Sequence, residues 1–162
     1  MVQEVVKEQV KVPAHISYLR VLRKFVTRIG TKYGFSASEL YAFKASVDEA
    51  CSNIIEHGYG FKDGSITIKA IVGNNSLTIE LIDQGKAFDP KLMQDPELTK
   101  YVDDRKKGGL GIFIMKRLLD EIDYKRTDEG NVLRLTKFKQ MNSGPLNSPT
   151  TFITKIRDIL SS

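Results

Sequence analysis

The chain lacks the raw material for several common chemistries. Its single cysteine, Cys51, excludes an internal disulfide framework. Two histidines, His15 and His57, are too few for a Cys/His zinc cluster. No apolar run approaches the roughly 18 residues of a membrane span. The first residues, Met1-Val2-Gln3-Glu4, carry no basic segment followed by an apolar core, so no signal peptide is expected. Charge of one sign is also scarce: 25 Lys and Arg against 20 Asp and Glu leave only +5. That excess permits an acidic or phosphorylated partner without marking a nucleic-acid binder. The expectation is a soluble cytoplasmic protein with no membrane and no direct nucleic-acid contact.

What is present suits one globular domain. At 162 residues, 41% hydrophobic and 28% charged, the chain can bury about two-thirds of its unfolded surface. Val2, Val6, Val10 and Val12 share one face of a strand that Pro13 ends. Leu19, Leu22, Val26 and Ile29 then step by three and four, an amphipathic helix that stops between Gly30 and Gly34. A second helix is expected from Ser36 or Ser38. Ser36 has Glu39 three residues on, a capping box. Leu40, Phe43, Val47, Ala50 and Ile54 form its apolar stripe, and the glycines around His57 end it.

Ile66, Ile68, Ala70 and Val72, a Gly73–Ser76 turn, and Leu77, Ile79 and Leu81 read as a hairpin. Residues 90–107 are polar and read as a long loop, a length that is usually functional or disordered. A third, apolar helix follows Gly108-Gly109-Leu110-Gly111. Asp128–Asn131 turns between two further strands. Residues 142–151 resemble a linker, and Phe152, Ile156 and Ile159 a short helix. The expected domains are 1–141 and a 142–162 tail. The order β-α-α-β-β-loop-α-β-β predicts an α+β fold, helices on one face of a mixed, mostly antiparallel sheet.

Four pieces carry chemistry. Glu49 and Asn53 are four apart and share a helix face, where an acid and an amide can serve a metal-bound phosphate and a hydroxyl nucleophile. The same pair also describes an ordinary solvated helix face. Asp83-Gln84-Gly85-Lys86-Ala87-Phe88-Asp89-Pro90 follows an apolar strand: a carboxylate there can accept an adenine amine, and Gly85 lets a ring approach the backbone. An ordinary turn reads the same way. Gly108–Gly111 opens a helix whose N–H groups attract anions, with Arg105, Lys106 and Lys107 just before it. The loop between these last two pieces lies where a lid would be.

Taken together, these motifs resemble the Bergerat-fold (GHKL) ATPases, the superfamily of histidine kinases and gyrase. Asp48-Glu49-Ala50-Cys51-Ser52-Asn53 with His57-Gly58-Tyr59 is similar to its N box, and Asp83–Pro90 and Gly108–Gly111 to its two glycine boxes. With Asp120-Glu121 and Tyr124 downstream, the likeness is strongest to the stand-alone anti-sigma factor serine/threonine kinases. It covers about residues 5–139.

The resemblance implies a two-layer sandwich that binds ATP and Mg²⁺. It makes Glu49 the general base, Asn53 the Mg²⁺ ligand and Asp83 the adenine acceptor. Gly85, Phe88, Gly108, Gly109, Leu110 and Gly111 would line the nucleotide, and Arg105 would reach the terminal phosphate. Ala87 stands where the superfamily often has Gly, which narrows the expected pocket. The implied partners are a sigma factor, sequestered, and a STAS-domain antagonist, phosphorylated on serine or threonine, with the chain a homodimer. Two rivals are a nucleotide-gated binding module without transfer and a detached histidine-kinase domain. The latter needs a phosphoacceptor histidine, and neither His15 nor His57 sits on a dimerisation helix. Both read as structural, and Cys51 as a small buried hydrophobe.

Overall fold

The computed structural model describes residues 6–87 and 109–140. Period-two alternation builds five strands: β1 (Val6–Pro13), β2 (Ser65–Val72), β3 (Ser76–Asp83), β4 (Glu121–Thr127) and β5 (Gly130–Phe138). They form one sheet in the order β1-β2-β3-β5-β4. Where some parallel pairing was expected, all four pairings of the described strands are antiparallel. The physical reason is in the connections. Two hairpins, β2–β3 and β4–β5, are antiparallel by construction, and the chain returns from the last helix so that β5, not β4, lies against β3.

One sheet face is apolar. Ile66, Ile68 and Ala70 of β2, Leu77, Ile79 and Leu81 of β3 and Leu135 of β5 are all almost wholly buried there. They share one core with the helices α1 (Leu19–Lys32), α2 (Ala37–Asn53) and α3 (Gly109–Leu118). Burying a side chain of that size is worth about 1.5–3 kcal/mol, so this layer carries the fold.

His15 accepts from the Ser17 N–H at 3.1 Å and caps a single 3₁₀ turn, Ile16–Tyr18, that leads into α1. Leu22, Val26 and Ile29 of α1 are fully buried. Gly30 lies against Leu40 of α2 so closely that a Cβ has no room. Gly34, at φ +81°, then turns the chain.

Ser36 caps α2: its Oγ accepts from Glu39 N at 3.2 Å, and Glu39 Oε1 accepts from Ser36 N at 2.7 Å. After Asn53 the helix widens into a π turn, Ile54–Gly58. Such a turn shifts the register of the backbone and is frequent at functional sites. Here it directs the chain from Asn53 to the loop after β3. Among the described residues no helix is long and apolar enough to cross a membrane. The expected loop, 90–107, and the 142–162 tail lie outside the described residues.

Candidate functional site

The polar site begins as an interruption of the apolar face. Leu77, Ile79 and Leu81 alternate toward the helices, and Asp83 is next in that row, only 6% exposed. Burial pushes its carboxyl above the ordinary carboxylate value. The Asn131 side chain, the Gly85 N–H and the Arg126 charge oppose that rise. Asp83 Oδ1 accepts from Gly85 N at 2.8 Å and from Asn131 Nδ2 at 3.0 Å. Both bonds fall on Oδ1, so Oδ2 is the oxygen left for a ligand.

Asn131 is the cross-strand partner of Asp83 in the β3–β5 register. It is 1% exposed and fully engaged. Its Nδ2 also donates to the Gly85 carbonyl at 2.9 Å, and its Oδ1 accepts from the Tyr124 hydroxyl at 3.1 Å.

Backbone contact ties this corner to the end of α2. Lys86 N donates to the Gly58 carbonyl at 2.8 Å. A Cβ at Gly85 would sit 2.6 Å from the Gly58 carbonyl carbon, so only glycine fits. The Tyr59 hydroxyl accepts from Gln84 N and donates to the Ser65 carbonyl, each at 2.7 Å.

The second half of the site is on α2. Asn53 is buried, Glu49 half-buried, and Asn53 Nδ2 donates to Glu49 Oε1 at 3.5 Å. With its amide nitrogen turned to Glu49, Asn53 has Oδ1 to offer a ligand. Burial raises the Glu49 pKa. Asn53 lowers it, the nearby Glu56 charge adds to the rise, and His57 opposes it.

Asn53 and Asp83 border one cleft with apolar walls at Ala50, Ile54, Met115 and Leu133. The mixture of apolar walls with a few convergent polar groups is typical of small-molecule sites. Such walls suit the face of a flat aromatic group, and the free Oδ2 of Asp83 suits a hydrogen-bond donor such as an amine.

The structure therefore brings Asn53, Asp83 and Gly85 together, with Glu49 bonded to Asn53. Gly109, Leu110 and Gly111 form the first turn of α3, whose Met115 reaches the cleft. Phe88, Arg105 and Gly108 lie outside the described residues. Burial also pushes the Cys51 thiol far up, and it is wholly enclosed, as a small hydrophobe would be.

Sequence reading passed over Asn131, Lys86, Met115 and Leu133. In the sequence Asn131 reads as the last residue of the Asp128–Asn131 turn. Its sign was an amide heading the apolar alternation Leu133, Leu135.

The model of the histidine kinase-like ATPase domain matches residues 12–137. The chain belongs to this family. It is 31% identical over 137 residues to the serine-protein kinase RsbW of Bacillus pumilus, covering 80% of this chain and 84% of the relative. To the serine-protein kinase RsbW of Halalkalibacterium halodurans it is 31% identical over 136 residues, covering 82% and 83%. To that of Bacillus licheniformis it is 34% identical over 137 residues, covering 80% and 84%. Among solved structures, the RsbU and RsbW domains of Rv1364c from Mycobacterium tuberculosis match with a TM-score of 0.59 at 18% identity. That match covers 83% of this chain and 32% of the other, a likeness of fold over about a third of the longer polypeptide. As a histidine kinase-like ATPase domain, the chain is an ATP-binding one.

Proposed function

We propose that the chain is an anti-sigma factor kinase. It sequesters a sigma factor and moves a phosphoryl group from ATP to a serine or threonine of a STAS-domain antagonist. It acts in the cytoplasm as a homodimer with Mg²⁺. The observation that carries this reading is the meeting of Asp83 and Asn53 at one cleft, with Glu49 hydrogen-bonded to Asn53, in a chain whose relatives are serine-protein kinases.

ATP would supply the phosphoryl group, and Mg²⁺ would offset its charge. Asp83 Oδ2 would accept the adenine amine while Ala50, Ile54, Met115 and Leu133 hold the ring away from water. Asn53 Oδ1 would be the protein ligand to the metal. Among the described residues no three His, Cys, Asp or Glu side chains converge on a metal site, so phosphate oxygens and water would complete the shell. Glu49 would take the acceptor hydroxyl's proton as that oxygen bonds to phosphorus and ADP leaves. Its raised pKa suits the task, because a base is most effective when its pKa lies near the working pH. Gly108, Gly109, Leu110 and Gly111 would turn backbone N–H groups to the phosphates. Arg105 would add positive charge, and Phe88 would flank the nucleotide. Glu49 beside Asn53 favours transfer over nucleotide-gated binding alone. Residues 1–141 would form the ATP-binding domain and 142–162 a linker and tail helix.

Incubation with labelled ATP and candidate STAS proteins, followed by mass spectrometry, tests the reading. A phosphoserine or phosphothreonine on one of them is the expected result. Nucleotide-dependent binding of a partner that never gains phosphate would overturn the kinase assignment.

A further inference from the structure

We propose that the Tyr59 hydroxyl is a wedge at the open end of the β2–β3 hairpin. It sits where the next backbone pair would close, and so turns the loop after β3 onto the end of α2. Tyr59 is thereby a positioning residue for the nucleotide cleft. The inference rests on the ATP reading of that cleft and concerns the path of its wall, not the groups that contact the base.

Strands β2 and β3 pair from Val72 with Leu77 as far as Ile66 with Asp83. The next step in that register sets Ser65 opposite Gln84. There the ladder gives way to a side chain. The Tyr59 hydroxyl accepts from Gln84 N and donates to the Ser65 carbonyl, each at 2.7 Å. A phenol has one proton to give and lone pairs to accept with, so a single oxygen satisfies both backbone groups. Joined directly, those groups would extend the ladder and keep the chain beside β2. With the hydroxyl between them, the two chains part.

The parted chain has a fixed destination. Lys86 N donates to the Gly58 carbonyl at 2.8 Å, and Gly85 lies against Gly58 with no room for a Cβ. Gly58 and Lys86 both border the cleft. The loop therefore becomes a wall of the cleft fastened to the end of α2 instead of continuing along β2.

Tyr59 is itself held on several sides. Its N–H donates to the Ile54 carbonyl at 2.9 Å, and its carbonyl accepts from Lys62 N at 3.1 Å. The bond from Tyr59 to Ile54 is the wide one that a π turn makes. One residue fewer in that turn would swing the side chain by about 100°. The Tyr59 ring lies over Gly64, where a Cβ would overlap it. The Gly64 carbonyl accepts from Ala14 N at 2.8 Å, just after β1, so the floor under the ring is tied to the sheet.

The test uses the full chain and two variants. Tyr59→Phe keeps the ring and deletes the hydroxyl. Gly64→Ala keeps the hydroxyl and displaces the ring, and it covers the case in which Tyr59→Phe does not fold. Calorimetry gives the dissociation constants of ATP and ADP with Mg²⁺. Amide hydrogen exchange without nucleotide reads the Lys86 N–H against those of the β2–β3 ladder. In each variant ATP and ADP are expected to bind roughly tenfold more weakly, the scale of one lost hydrogen bond. The two should weaken equally, because the wall moves while Asn53 on α2 does not. The Lys86 N–H should exchange faster, with the ladder amides unchanged.

A folded Tyr59→Phe that keeps either wild-type ATP affinity or wild-type Lys86 exchange would overturn the proposal. So would a loss confined to ATP, or faster exchange spread evenly over the ladder, the mark of a residue that only stabilises the sheet. A wild-type chain that binds neither nucleotide would instead refute the ATP reading, so the two failures are distinguishable.

Discussion

Helices α1 and α2 pack against each other and serve the same core, yet they bury different things. Every buried residue of α1 is apolar or glycine. The buried set of α2 includes Glu39, Ser46 and Asn53. Glu49 is half-buried beside them, and Asp48 has an enclosed Oδ1 with no partner among the described residues. A buried polar group costs free energy unless it is hydrogen-bonded: Glu39 and Ser46 have short local bonds, to the Ser36 N–H and the Ala42 carbonyl, whereas the Asn53–Glu49 bond is long at 3.5 Å. The contrast makes α2, not α1, the helix on which the proposed chemistry rests, with polar groups buried at a cost to stability.

The largest test of that contrast removes the chemistry and leaves the packing. Glu49→Ala is expected to lower partner phosphorylation by roughly 10²–10⁴-fold, as loss of a general base does. ATP affinity should stay within about threefold, under ~1 kcal/mol. Asn53→Ala should lose both. Calorimetry alongside a phosphotransfer assay separates the two patterns, and a Glu49→Ala protein with wild-type transfer would remove Glu49 from the mechanism.

The converse change belongs on α1. Leu22 is fully buried, and Leu22→Ala should cost about 2–5 kcal/mol of folding free energy. The folded fraction should keep its ATP affinity, because nothing on α1 borders the cleft. Urea titration with and without nucleotide checks both halves.

A third test reads the stability that α2 gives up. Burial raises the folded-state pKa of Glu49 above its ordinary value of 4.5. The folded state then holds the proton more tightly than the unfolded chain does. The contribution of Glu49 to stability is therefore most favourable below pH 4.5 and is lost as pH rises through the folded pKa. Glu49→Gln removes this loss. It should be more stable than wild type at neutral pH, with the advantage shrinking under acid, while phosphotransfer fails. A neutral-pH stability below wild type would show that Glu49 is held by bonds stronger than its burial cost.

The same contrast explains what the sequence made legible. The apolar stripes of both helices and the alternation of β2 and β3 follow from period alone, because each local residue choice agrees with the final burial. The Ser36–Glu39 cap was legible because its partners are near in sequence, and Asp83 because it ends an apolar alternation and turns onto Gly85 two residues on. Asn131 was not: its bond to Asp83 spans 48 positions, and in one dimension it is a polar residue next to a turn. Glu39 was half-legible. Its cap bond to Ser36 is local, but its Oε2 also accepts from Gln140 N at 3.1 Å, 101 positions away. The strand order was hidden for the same reason, since α3 and β4 lie between β3 and β5 in the sequence.

The smallest effect concerns the far end of α2. Ser36→Ala deletes the Oγ that accepts from Glu39 N at 3.2 Å and leaves a helix-end N–H unpaired. Such caps are typically worth ~1 kcal/mol. Glu39 would still hold the Ser36 and Gln140 N–H groups, so the loss should sit at or below that value. Ser36 is 13 residues from Glu49, about 20 Å along the helix at 1.5 Å per residue. Changes that far apart with no shared partner add within about 0.5 kcal/mol. Ser36→Ala should therefore lower stability, leave ATP affinity and phosphotransfer unchanged, and combine additively with Glu49→Gln in urea titrations. A coupling energy above ~1 kcal/mol in that double-mutant cycle would mean that the capped end and the catalytic end of α2 respond as one unit, and the division between structural and chemical residues would then fail within the helix itself.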